Sequence, residues 1–364
     1  MGMERPMKRI YVVLLLLLAF SSSFALKSKG NFYSAANSKI QYVGRVDFSN
    51  PSKPKMWASG AYVIVKFKGT FCDLDINDEV IYGTVHNYLQ IKVDNQPAYR
   101  IQLKNKENKI ELVKDLPMGE HTIVICKNTE FENGYIEIIG FNCEQLLSPP
   151  AKQKRKIEFI GDSITCGFGS DESEIKCGDK GSQWYDQHNA YMAYGPIIAR
   201  SLNAQYHLSA VSGIGLIHSC CDKKILMPQV FDKINMAKNE LKWDFKQYQP
   251  DVVTVCLGQN DGIQDSAQFC KAYVQFAQTL RGYYPKAKLI FLTSPMADKP
   301  LKTALMKYIT AVKTELVKKG DKNIGSYFFT KQSIKGCGSH PSLTEQKEIG
   351  DELTAYLKKA MKWY

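Results

Sequence analysis

Four short stretches carry the residue types of nucleophilic acyl chemistry: Gly161-Asp162-Ser163-Ile164-Thr165, Ser212-Gly213-Ile214-Gly215, Gly258-Gln259-Asn260-Asp261 and Gly338-Ser339-His340-Pro341. A serine hydroxyl is a poor nucleophile until a neighbouring base accepts its proton. Ser163 and His340 supply that pair of types. The tetrahedral intermediate then needs donors aimed at its oxyanion, each contributing on the order of 3 kcal/mol. Glycines let backbone N–H groups approach a reacting atom closely, and the Asn260 side-chain amide can add another donor. Ser342 and Glu345 make a capping-box pattern that fixes where the last helix begins. His340 is therefore expected on a short loop held at a helix entrance.

These stretches lie hundreds of residues apart in places, so a scaffold must gather them. From residue 156 the sequence alternates apolar strand-like runs (156–160, 205–210, 251–257, 288–293, 324–329) with helical ones (190–202, 267–283, 301–318, 343–362). That alternation predicts a parallel sheet covered on both faces. Functional groups in such sheets collect beyond the carboxyl ends of the strands. The first three strands run straight into the first three stretches, which places them on one sheet edge.

Before the Leu147-Ser148-Pro149-Pro150 break the pattern differs. Short strand-like runs at 61–67, 88–93, 101–103, 110–113, 121–126 and 135–141 are separated by turns such as Asp94-Asn95-Gln96-Pro97 and Asn133-Gly134. No helical period persists, so an antiparallel sandwich or jelly roll is expected over residues 26–148. Residues 149–364 form the strand–helix domain. Residues 1–25 read as a signal peptide: Lys8 and Arg9, an apolar run from Ile10 to Phe20, then small residues at Ser21-Ser22-Ser23-Phe24-Ala25. The apolar run falls short of the roughly 20 residues that span a bilayer. Export to the periplasm or outside the cell follows, with no stable membrane anchor.

The net charge of +12, from 48 Lys plus Arg against 36 Asp plus Glu, is expected to be solvated surface. No nucleic-acid-binding signature accompanies it. Ten cysteines in an exported chain make disulfides possible. Cys166 and Cys177 flank a loop they could close; a bridge between adjacent Cys220 and Cys221 is strained; Cys126 and Cys256 sit in apolar runs as core residues. The spacings match no zinc site, and His86, His121, His188, His207 and His218 read as surface or satisfied core groups.

Taken in order, the four stretches resemble the four blocks of the SGNH (GDSL-like) hydrolases. With the sandwich in front and Ser212-Gly213-Ile214-Gly215-Leu216 in the second block, the chain looks like carbohydrate esterase family 2. The resemblance implies a flavodoxin-like three-layer α/β domain after the sandwich, and removal of acetyl groups from plant polysaccharides such as xylan and mannan. It implies Ser163 as nucleophile, His340 as base, and an oxyanion hole from the Ser163 and Gly213 main-chain amides with the Asn260 side chain. No metal or organic cofactor is implied. The usual acid two or three positions before the histidine is replaced here by Gly338 and Cys337, so a main-chain carbonyl is the other way to orient His340. An aromatic platform in the cleft is a further family trait, for which Trp184 and Tyr185 are the available rings. An inactive polysaccharide-binding module and an SGNH lipase or thioesterase are the competing readings. Intact Ser163 and His340 oppose the first, and the lack of an apolar lid-like helix opposes the second.

Overall fold

The computed structural model describes residues 30–364 together with Gly2; the expected signal peptide lies outside the described residues. No helix among the described residues is long and apolar enough to cross a membrane.

The N-terminal part is an antiparallel β structure of ten strands. Its longest strand, Tyr62–Asp78, changes partner along its length. The first half pairs with Gly119–Lys127 and the second with Glu107–Val113, while Ile136–Leu147 runs along the other edge. Alternation drives this arrangement: Val63, Val65, Phe67, Leu74 and Ile76 point inward with Leu89, Ile91, Ile123 and Ile125, all at most 1% exposed. The 61–67 expectation caught only the first half of that strand. Its continuation, Cys72-Asp73-Leu74-Asp75-Ile76-Asn77-Asp78, carries carboxylates on the outward positions, and these mask its strand character.

After an extended linker the chain enters a five-stranded parallel sheet: β1 (Arg155–Gly161), β2 (Ala204–Ala210), β3 (Val252–Cys256), β4 (Lys288–Leu292) and β5 (Ile324–Tyr327). The order is β2-β1-β3-β4-β5, the flavodoxin-like arrangement. Every residue of β2 and of β3 is buried, as sheets covered on both faces require. Helices α3 (Ser266–Tyr283) and α4 (Lys299–Lys318) pack on one face. On the other lie α2 (Tyr194–Ser201) and α5 (Leu343–Met361), together with Val43, Tyr62 and Ile64 from the sandwich. Trp57, Ala58 and Phe131 of the sandwich likewise join the cluster on the first face, so the two domains share both core clusters. The first turn after β1 is the four-residue α1 (Ser163–Cys166).

Polar contacts reinforce the seam. Buried Arg45 of the sandwich meets buried Glu158 of β1 at 2.9 Å and donates to the Lys233 carbonyl at 2.8 Å. The Tyr88 hydroxyl donates to Asp186 (2.8 Å) and Arg100 to the His188 carbonyl (3.1 Å). Sandwich strands therefore hold the 184–189 loop that borders the site.

The cysteine expectation is corrected. Cys177 pairs with Cys337, 160 residues away, and Cys166 is a buried free thiol. Proximity in sequence misled, because Cys166 points inward from α1 whereas Cys337 arrives beside the 171–188 loop from the far end of the chain. Adjacent Cys220 and Cys221 are paired with each other. Cys126 and Cys256 are free core residues, as expected.

Candidate active site

The loops after β1, β2 and β3 converge at the carboxyl edge of the sheet, and the loop before α5 folds onto them. Asp162 caps α1 by accepting the Ile164 N–H at 3.1 Å, which sets Ser163 as the first helical residue. An N–H in that position has no partner within the helix. Ser163 is 7% exposed.

His340 reaches that hydroxyl: Nε2 lies 2.8 Å from Ser163 Oγ. Its other nitrogen, Nδ1, lies 2.9 Å from the Gly338 carbonyl. A carbonyl only accepts, so the proton sits on Nδ1 and the Nε2 lone pair is free to take the serine proton. This settles how the histidine is oriented without an acid. The turn that allows it is left-handed at both Gly338 (φ 58°) and Ser339 (φ 56°), which doubles the chain back so that the 338 carbonyl faces the 340 ring. Ser342 and Glu345 make the expected capping box at α5, anchoring the loop's far end.

Burial holds the His340 imidazole below its ordinary pKa, against the opposing pull of the Gly338 and Cys337 backbone groups. The base must be neutral to act, and burial disfavours the charged form. The acid limb of kcat/KM is therefore expected to have its midpoint below pH 6.5, the unperturbed histidine value of about 6.5 being the reference. A profile of ester hydrolysis from pH 4 to 9 checks this; a midpoint at or above that reference contradicts it.

Gly213 takes φ 77°. A Cβ there would come within 3.1 Å of Cys220 Sγ and of Lys223 Cε, so both backbone and space ask for glycine. The N–H groups of Ser163 and Gly213 have no hydrogen-bond acceptor among the described residues. Asn260 lies between these blocks: its Nδ2 donates to Asp162 Oδ2 (3.1 Å) and to the Ile214 carbonyl (2.9 Å). Both of its hydrogens are thus engaged with protein. Burial pushes the Asp162 carboxyl up to about 7. Asp261 instead gathers the N–H groups of Leu216, Ile217 and His218 at 2.7–3.0 Å, shaping the loop after β2.

Of the two candidate rings, Trp184 is 46% exposed and stacks with Phe168 (centroids 6.4 Å apart), which also neighbours the His188 ring at 4.3 Å and the His340 ring at 4.5 Å. Tyr185 is buried, its hydroxyl donating to the Thr84 carbonyl at 3.1 Å. Of the two, only Trp184 presents its ring to solvent. Two residues escaped the sequence reading. Glu130, from the sandwich, accepts hydrogen bonds from His188 (3.1 Å) and from the Ser212 hydroxyl (2.7 Å) and amide (3.1 Å). It belongs to a polar run at a strand end, Lys127-Asn128-Thr129-Glu130, all four of whose residues are fully buried. His188 reads as a surface or satisfied core histidine; it is buried and satisfied by Glu130, close to the His340 loop.

Strand order, block positions and the Ser163–His340 pair together define an SGNH-type carboxylic ester hydrolase. Family models agree: residues 42–150 match "Carbohydrate esterase 2 N-terminal" and residues 159–319 match "GDSL-like Lipase/Acylhydrolase family". The structure of a family two carbohydrate esterase from Clostridium thermocellum, in complex with cellohexaose, superposes with a TM-score of 0.82 at 31% identity, covering 89% of this chain and 100% of that one. The chain belongs to carbohydrate esterase family 2. It is 32% identical over 90% of its length to the cellulase/esterase CelE of Acetivibrio thermocellus, of which it spans 40%. It is 26% identical, over 98% of this chain and all of the relative, to an acetylxylan esterase / glucomannan deacetylase of Cellvibrio japonicus.

Proposed function

We propose that this protein removes O-acetyl groups from plant polysaccharides through an acetyl-serine intermediate. The observation that carries the reading is the Ser163–His340 hydrogen bond with Nδ1 of the same imidazole bonded to Gly338. Ser163 Oγ attacks the acetyl carbonyl carbon as its proton passes to His340 Nε2. The Ser163 and Gly213 amides hold the oxyanion, and Asn260 joins them by exchanging one of its present partners for it. His340 returns the proton to the sugar oxygen as the C–O bond breaks. Water then attacks the acetyl-serine, again giving its proton to His340, and acetate leaves as Ser163 is reprotonated. The imidazolium is stabilised in both halves by its bond to the Gly338 carbonyl.

Support for a sugar substrate comes from the exposed Trp184 ring, stacked on the Phe168 ring that neighbours His340, since aromatic faces suit the apolar faces of sugars. It comes also from the printed activities of the relatives. Export, to a periplasm or beyond the cell, is supported by the signal-like first 25 residues and by the Cys177–Cys337 bridge.

Release of acetate from acetylated xylan and acetylated glucomannan, followed alongside hydrolysis of p-nitrophenyl acetate, tests the reading. Acetate is expected from at least one glycan, with a mass increase of one acetyl group trapped on Ser163 after rapid acid quenching. Hydrolysis of the small ester alone would remove the glycan assignment and keep the serine chemistry. No hydrolysis of either would favour a polysaccharide-binding protein.

A further inference from the structure

Glu130 is carried by the sandwich domain, yet its carboxylate lies under the catalytic loops. It is fully buried and meets three donors: His188 Nε2 and the Ser212 hydroxyl on Oε1, and the Ser212 amide on Oε2. Ser212 immediately precedes Gly213. His188 Nδ1 accepts the Gly169 N–H at 3.4 Å, which leaves the proton on Nε2 for Glu130. The Gly169 carbonyl in turn accepts the Cys337 N–H at 2.7 Å, and Cys337 starts the turn that carries Gly338 and His340. The Phe168 ring sits between the two imidazoles, 4.3 Å from His188 and 4.5 Å from His340.

We propose that Glu130 is a positioning residue for ester hydrolysis: one buried carboxylate of the sandwich domain sets the Gly213 loop on one side of Ser163 and, through His188 and Gly169, the His340 loop on the other. The sandwich is then part of the active site and not a separable module. The inference rests on the hydrolytic reading above and deepens it.

The chemistry of the three donors requires a carboxylate. An ionised acid presents acceptors at both oxygens, whereas an amide turns one of them into a donor. In Glu130→Gln, either orientation sets an N–H against the Ser212 amide or against His188 and the Ser212 hydroxyl. Burial works against the Glu130 charge, but the His188 and Ser212 hydrogen bonds outweigh it and keep the carboxyl below the usual carboxylate range. The backbone on which Glu130 sits is equally tied down: Lys127 Nζ donates to the Thr129 and Glu130 carbonyls at 2.8 and 3.0 Å. A second link runs parallel to the first, since Glu132 pairs with Lys223 on the loop beyond Gly213.

The test compares the full wild-type chain with Glu130→Gln and Ser212→Ala in hydrolysis of p-nitrophenyl acetate. Active sites are counted by fluorophosphonate labelling of Ser163, and folding is followed by thermal unfolding. A positioning role predicts that Glu130→Gln lowers kcat per labelled serine about ten- to a hundred-fold, as small misplacements of reacting groups do. KM stays within about two-fold. Ser212→Ala, which deletes only the hydroxyl donor, moves the same way by less. A Glu130→Gln protein that is less stable but keeps wild-type kcat per labelled serine overturns the inference and leaves the esterase reading intact. If Glu130→Gln does not fold, an unchanged kcat in Ser212→Ala overturns it. A wild type that is neither labelled nor active removes both.

Discussion

Ser163→Ala is expected to lower kcat for acetyl-ester hydrolysis by on the order of 10⁴- to 10⁶-fold, the largest effect any single substitution should have here. In the proposed mechanism the hydroxyl is the atom that forms the covalent bond, and no other nucleophile lies within reach of His340 Nε2 among its hydrogen-bond partners. The residual rate would come from the oxyanion donors alone, since the Ser163 and Gly213 amides are main-chain groups that the change leaves in place. Folding should be nearly unaffected. Alanine suits the first position of a helix whose cap is Asp162, not Ser163. Acetate release and thermal unfolding of purified variant and wild type decide the matter together. A variant retaining more than about 1% of wild-type kcat, against the losses seen when a nucleophile is deleted, would mean that the proton relay does not pass through this serine.

The second large effect is on stability. Arg45→Ala should cost about 3–5 kcal/mol, because it leaves Glu158 buried without its countercharge. Arg45 and Glu158 side chains are 1% and 0% exposed. The guanidinium also lies 4.7 Å over the Phe231 ring and donates to the Phe231 and Lys233 carbonyls. The substitution therefore opens the seam between the domains at one point and strands three acceptors there. The comparison that isolates the charge is the double variant Arg45→Met with Glu158→Leu. It removes both ions while keeping apolar bulk, and is expected to lose less than Arg45→Ala alone. Urea unfolding midpoints measure the difference. If both proteins unfold with the single variant as stable as wild type, the pair contributes nothing to holding the domains, and the shared apolar clusters and the remaining polar contacts carry the seam.

The site was legible to the extent that its chemistry follows strand ends. Apolar runs of five to seven residues between helical patterns dictate a parallel sheet, and a parallel sheet delivers its loops to one edge. Ser163, Gly213 and Asn260 could be placed on that edge without coordinates. His340 could be tied to a helix start because Ser342 and Glu345 satisfy each other locally. The strand boundaries moved by only a residue or two for β1 through β4, because the apolar residues of each run mark it even where buried polar side chains such as Glu158, His207 and Ser209 interrupt it. The acidic half of the Tyr62–Asp78 strand was invisible for the opposite reason, its outward carboxylates being as compatible with a loop as with a solvated sheet face.

The amino-acid sequence by itself determined the two-part architecture through its periodicity and the family through the resemblance of its four blocks, and it singled out Ser163 and His340 as the expected nucleophile and base. Only the tertiary structure decided what orients the base, which cysteine Cys177 takes as partner, and that Glu130 of the first domain lies beneath the loops of the second. Each of these depends on where distant segments meet. The Gly338 carbonyl reaches the His340 ring through two consecutive left-handed residues, one of them a serine that favours no such turn. Cys337 finds Cys177 across 160 residues. Glu130 is buried because three donors from another domain await it, and nothing in the residues around it in sequence announces them.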